Sequence, residues 1–179
     1  MPSIIIPTDF SNTTITALKV ASQLAKETGF DLEVLHIHDG YGNSDDFVVK
    51  KGNLAAQSEV QRQLDEFIRF NVTPGSEESS AVTEVAERLK IKTYIGDPGS
   101  ELVKLSKRDD CALIVMGASG AGVKNNRSIF YGSVAQKVSL LGECPVMLIP
   151  ADYDSTGFEH IAYSFRGEKD LGVVYNKSY

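Results

Sequence analysis

Three short apolar runs constrain this chain more than anything else in it: Ile4-Ile5-Ile6, Leu113-Ile114-Val115-Met116 and Val146-Met147-Leu148-Ile149. None alternates apolar with polar residues, so each reads as a strand covered on both faces. They place strands at 3–7, 112–116 and 145–149, and two further candidates, 31–38 (DLEVLHIH) and 91–95 (IKTYI), bring the count to five. Strands of this kind need helices on either side.

The segments between the strands supply helical periodicity. Ile15, Leu18, Ala21 and Ala25 share one face of a helix that begins near Ser11 or Asn12, both good N-caps, and stops at Gly29. Val60, Leu64, Phe67 and Ile68 follow the i, i+4, i+7, i+8 spacing and end before Asn71-Val72-Thr73-Pro74-Gly75. Val82, Val85, Ala86 and Leu89 predict a short helix. Pro98 suits the first turn of a helix carrying Leu102, Val103 and Leu105, and a last helix starts near Gly132-Ser133, carries Val134, Val138 and Leu141, and ends before Gly142. With right-handed crossovers this order makes an α/β fold, an open doubly wound parallel sheet. Ligands of such sheets sit beyond the carboxyl ends of the strands, which directs attention to Thr8-Asp9-Phe10-Ser11, His38-Asp39-Gly40, Gly96-Asp97 and the segment from Gly117 to Gly122.

Composition narrows the function classes. A length of 179 residues allows one well-cored domain plus a remnant, and 42% apolar with 23% charged residues is that of a globular protein. A net charge of −6 offers no global attraction to nucleic acid or anionic membranes, so neither is expected as a partner. No apolar stretch is long enough to span a bilayer, and Met1-Pro2 runs into Ile4 without a basic leader, so the expected location is cytoplasmic. Cys111 and Cys144 lie far apart in the chain without a CxxC pair, and both read as small core residues.

The strongest local chemistry is the stretch MGASGAGVKNNRSIFYGSVAQKV. Gly117, Gly120 and Gly122 let backbone N–H groups approach an anion, Lys124 and Arg127 add charge, and Gly132-Ser133 opens a helix with a partly positive N-terminus. A phosphate chain held between the two ends and a plain flexible turn, with Ser133 only capping its helix, are equally consistent with the pattern. A P-loop fails on register, because Val123 stands where its lysine belongs. The dinucleotide pattern is broken by Asn125. Ser119 resembles an elbow nucleophile with its second glycine one position early, and Asp152 and His160 follow in triad order, which keeps a small serine hydrolase as an alternative.

Asp9, at the carboxyl edge of the first strand, can accept a hydrogen bond from a ligand or serve the dipole of the next helix. His36 and His38, at i and i+2, have a spacing that can serve a metal, but no third ligand accompanies them and a structural role is favoured. Lys50-Lys51 and Lys104, Lys107 and Arg108 read as solvated faces.

Taken together, Ile5-Ile6-Pro7-Thr8-Asp9-Phe10-Ser11, Val34-Leu35-His36-Ile37, Gly96-Asp97-Pro98, Ile114-Val115-Met116-Gly117-x2-Gly120, Gly132-Ser133 and Cys144-Pro145-Val146 resemble the universal stress protein family, in its ATP-binding subgroup, over about residues 1–150. The resemblance implies a Rossmann-like, adenine-nucleotide-binding sheet of order 3-2-1-4-5 with ATP or AMP, with or without Mg²⁺, at the ends of strands one and four. Asp9, beside Pro7 and Thr8, would meet the adenine or ribose, and Ile37 would hold adenine through its backbone. Met116 and Gly117 would floor the site, and Ser119, Gly120, Gly122, Gly132, Ser133 and Val134 would surround the phosphates. The implied role is a dimeric nucleotide-binding regulator of the stress response with little or no hydrolysis, the homodimer forming through the exposed edge of the last strand.

Two departures accompany the resemblance. Gly120 to Gly132 encloses eleven residues where the family pattern has nine; counting from Gly122 restores nine and puts Ser119 in the first glycine's place. A nucleotide-free dimeric scaffold is the alternative this suggests. The tail, 151–179, resembles in 158–165 (FEHIAYSF) the opening strand of a second, incomplete copy, with Arg166 in the aspartate's slot. Packing on the parent domain, exchange between protomers and truncation of a tandem protein all remain open for it.

Overall fold

Five strands form one parallel sheet: β1 (Ser3–Pro7), β2 (Asp31–His38), β3 (Leu89–Ile95), β4 (Cys111–Gly117) and β5 (Val146–Ile149), in spatial order β3-β2-β1-β4-β5. The computed structural model describes residues 1–38, 54–72, 88–118, 132–150 and 152–153. The helices among these residues are α1 (Asn12–Thr28), α2 (Leu54–Val72), α3 (Pro98–Leu105) and α4 (Ser133–Leu141).

β1 is the middle strand, and its alternate residues build the two halves of the core. Ile4 and Ile6, with Leu32, Val34 and Val115, pack against Ala17, Leu18 and Ala21 of α1 and Leu64 and Ile68 of α2. Ile5, with Leu35, Ile37, Ile114 and Met116, packs against Leu102 and Leu105 of α3 and Ala135 and Val138 of α4. Each fully buried aliphatic side chain contributes about 2 kcal/mol of transfer free energy, and a strand with both faces covered uses every residue for it.

The helix ends follow their capping residues. Ser11 Oγ accepts from the Thr14 N–H, and Gly29, at φ 72°, ends α1 with its N–H on the Ala25 carbonyl. Asp97 caps α3 by accepting from the Ser100 N–H at 2.9 Å, and Pro98 occupies the first turn.

Several expectations differ from what the fold shows. Leu89 belongs to β3, where it pairs with Leu32 of β2, and not to a preceding helix; 82–87 lie outside the described residues. α2 continues through Val72, with Asn71 donating from Nδ2 to the Phe67 carbonyl at 2.7 Å. On α1 the buried face runs through Thr14, Ala17, Leu18, Ala21 and Ala25, leaving Ile15 half-buried. Leu141 is 57% exposed, because the buried stripe of α4 ends at Val138 before the chain turns at Gly142 towards β5. Arg108 does not belong to a solvated face: its guanidinium grips Glu33, a fully buried carboxylate in β2, and also Asp110. Lys104 and Lys107 are surface residues as expected, paired with Glu101 and Glu143. Lys50-Lys51 lie outside the described residues. Among the described residues no helix is long and apolar enough to cross a membrane.

Candidate functional site

The winding reverses between β1 and β4, and their carboxyl ends open a crevice there. On the β1 side the chain continues the ladder for one residue, with the Thr8 N–H on the Leu35 carbonyl at 2.8 Å, and then turns sharply. Phe10 takes φ 62°, a left-handed conformation that costs a bulky residue about 1–2 kcal/mol. Local bonds hold that turn. Thr8 Oγ1 accepts from the Phe10 N–H at 3.0 Å, and Asp9 Oδ1 accepts from the Ser11 N–H at 3.1 Å and from Thr14 Oγ1 at 2.8 Å. The Phe10 ring lies 4.7 Å from that of His36 and meets Phe67 edge-on at 5.4 Å.

His36 ties the turn to the neighbouring strand. Its Nδ1 stands 2.7 Å from the Thr8 carbonyl oxygen; a carbonyl only accepts, so Nδ1 carries the proton. The His36 and His38 rings stack with centroids 6.1 Å apart, and among the described residues no cluster of three His, Cys, Asp or Glu could hold a metal. The bond to Thr8 gives His36 a structural role, joining β2 to the turn after β1.

On the β4 side, Met116 is buried, and the Ala118 N–H bonds the Ile149 carbonyl at 2.8 Å. The Ala118 carbonyl accepts from the Gly132 N–H at 2.9 Å, which brings the start of α4 against the end of β4. Gly132 is the N-cap of α4 and has no side chain to cap it, and the first-turn N–H groups of that helix have no acceptor within it. They give this wall of the crevice the partly positive character of a helix N-terminus. Lys137 of α4 reaches Asp97 at 2.7 Å and Ser100 at 2.8 Å, which braces α4 against α3. The Lys137 ammonium, followed by the Ser100 donors, holds the Asp97 carboxyl well below the usual carboxylate range.

These elements enclose a cavity of about 280 Å³, near the lower end of small-molecule sites. Pro7, Thr8, Asp9, Ile37, Met116, Gly117, Gly132, Ser133 and Val134 line it, which brings together nine residues that the sequence and its family resemblance singled out. Ser119, Gly120 and Gly122, with Lys124, Arg127 and His160, lie outside the described residues, while Asp152 is exposed in a turn after β5. Thr14, His36, Pro98, Leu102 and Ala135 also line the cavity and were not singled out for it. Leu102 read as a member of a helix face; His36 had been weighed as a metal ligand, and Pro98 follows the Gly96-Asp97 strand end, so these two carried a signal of a site.

Comparison with known proteins yields consistent matches. The model of the Universal stress protein family matches residues 1–150. A universal stress protein of Methanocaldococcus jannaschii is 30% identical over 151 residues, covering 82% of this chain and 80% of that protein. Among solved structures, the universal stress protein UspA from Lactobacillus plantarum superposes with a TM-score of 0.62 at 22% identity, over 83% of this chain and 97% of the other. The universal stress protein of Archaeoglobus fulgidus in complex with dAMP has a TM-score of 0.54 at 22% identity, over 83% and 97% of the two chains.

Proposed function

The chain belongs to the universal stress protein family, and from that premise we propose that the cavity between β1 and β4 binds an adenine nucleotide, ATP or AMP, as the ligand of a cytoplasmic stress-response regulator. One observation carries the proposal: the cavity is lined by two kinds of group, the apolar side chains of Ile37, Leu102 and Met116 on the one hand, and the Asp9 carboxylate and the first residues of α4 on the other. An apolar slot with a carboxylate acceptor suits a base and its ribose, and a helix N-terminus suits phosphate. The dAMP held by the similar Archaeoglobus fulgidus protein has both parts.

In this reading Asp9, with Pro7 and Thr8 beside it, accepts from a ribose hydroxyl or the adenine amino group. Ile37 holds the base through its backbone, Met116 and Gly117 floor the site, and Gly132, Ser133 and Val134 receive the phosphates. Ser119, Gly120 and Gly122 extend that cradle along the lengthened loop. Turnover is slow or absent in this reading, as the resemblance to the family implies. The protein acts as a homodimer through the edge of β5, which ends the sheet. Leu140 and Leu141, 74% and 57% exposed on the helix leading to it, suit an apolar interface.

Calorimetric titration of ATP and AMP into stripped protein, with and without Mg²⁺, tests the proposal. Binding is expected, and Asp9→Ala should weaken it about 10- to 100-fold, the worth of a hydrogen bond to a charged group. No heat of binding at millimolar nucleotide would overturn it and leave the nucleotide-free scaffold.

A further inference from the structure

Cys111 and Cys144 stand 33 positions apart in the chain, yet their sulfur atoms lie 2.8 Å from each other. Both are thiols; Cys111 is half-buried at the start of β4, and Cys144 is buried in the turn from α4 into β5. The backbone, more than the side chains, sets this approach. β4 and β5 pair with Ile114 opposite Val146, and the Ile114 N–H bonds the Pro145 carbonyl at 3.0 Å, one residue from Cys144. The turn itself is anchored, since the Glu143 N–H donates to Ser106 Oγ at 3.0 Å and Lys107 pairs with the Glu143 carboxylate at 2.9 Å. A disulfide bond is about 2.05 Å long, so closing one here asks for a movement of under about 1 Å.

We propose that Cys111 and Cys144 form a reversible redox-modification site, which closes to an intrachain disulfide when a small hydroperoxide reaches Cys111. The Cys111 sulfur, as thiolate, attacks the peroxide: an S–O bond forms, the O–O bond breaks, and the leaving oxygen departs as water or alcohol. The Cys144 sulfur then attacks that of Cys111; the S–S bond forms, the S–O bond breaks, and hydroxide leaves with the Cys144 proton as water. Two thiols lose two electrons and one peroxide gains them. Cys111 reacts first because it is the more accessible of the two. The Cys144 thiol beside it, then burial, push the Cys111 thiol up, which makes its thiolate scarce and the oxidation slow. The disulfide is therefore a mark that accumulates under sustained oxidant. It forms at the amino-terminal ends of β4 and β5, opposite the strand ends that line the cavity, so it stands or falls independently of nucleotide binding.

The experiment exposes the full chain to hydrogen peroxide, then denatures and alkylates it and measures intact and peptide masses. The expected product has lost two hydrogens, takes up no alkyl group, and yields one linked peptide pair carrying both cysteines. Its melting temperature should rise by about 10 °C, as closing a loop of this length restricts the unfolded chain, and dithiothreitol should reverse both changes. Cys111→Ser and Cys144→Ser should each abolish the two-hydrogen loss. Alkylation of both cysteines after prolonged oxidant, oxygen addition without a linked pair, or links only between chains would each overturn the proposal.

Discussion

Removing Arg108 should expose the cost of burying Glu33, and the pH dependence of that cost has a sign that can fail. Glu33 is fully buried, and Arg108 holds it with both arms, at 2.9 Å to Oε1 and 3.1 Å to Oε2, while Lys92 adds a contact at 3.1 Å. Burial is the largest single influence on this carboxyl and pushes it up; Arg108 and Lys92 together outweigh burial and hold it below its ordinary value. Arg108→Ala leaves Lys92 alone, on a side chain 41% exposed to water. Breaking a buried pair costs about 3–5 kcal/mol, and the remaining lysine puts this case near the lower end, about 3 kcal/mol. For a domain of this size that lowers the melting temperature at neutral pH by about 6–12 °C.

In the parent protein the lowered carboxyl contributes stability that is complete above the unfolded value of about 4.3 and is lost as pH falls through the folded one. In the variant burial prevails, so the carboxyl rises above its unfolded value, and its penalty, full at neutral pH, is relieved as acid protonates it. The difference in unfolding free energy between the two proteins should therefore shrink steadily between pH 7 and pH 4. Urea denaturation followed by circular dichroism at several pH values measures it. A difference that stays constant or widens on acidification would refute the reasoning. Adding Glu33→Gln to Arg108→Ala should recover part of the loss at pH 7, since a neutral amide is cheaper to bury than an unpaired charge.

The remaining predictions concern the turn after β1 and the end of α4. His36→Asn keeps an N–H near the Nδ1 position that bonds the Thr8 carbonyl and should cost less than about threefold in nucleotide affinity, whereas His36→Leu removes that donor and should cost about tenfold. Equal affinities for the two variants would show that the turn does not depend on this bond. Gly142→Ala would place a Cβ 2.6 Å from the Val138 carbonyl oxygen, a backbone atom that already accepts the Gly142 N–H at 2.8 Å. Crowding of that kind costs about 1–3 kcal/mol, so thermal melting should show a loss of several degrees, and an unchanged midpoint would contradict it.

Sequence alone determined what depends on neighbours along the chain. The unbroken apolar run of β1 had no other use than a strand covered on both faces and made it legible to the residue, as β2 was from its own run, and Ser11, Gly29, Pro98 and Gly142 marked helix ends by local chemistry. The doubly wound order then pointed to the strand ends, which is why nine cavity residues could be named from pattern and resemblance. Tertiary structure decided whatever depends on which faces meet. The Phe10 ring is packed by His36 from β2 and Phe67 from α2, and no pattern in Thr8-Asp9-Phe10-Ser11 records either partner. Arg108 read as one more surface cation until β2 set the Glu33 carboxylate beside it. Cys111 and Cys144 became a pair only through the β4–β5 register. Local signals act over one or two turns of chain, whereas ion pairs, sulfur contacts and cavity walls form between elements whose separation in sequence carries no record of their distance in space.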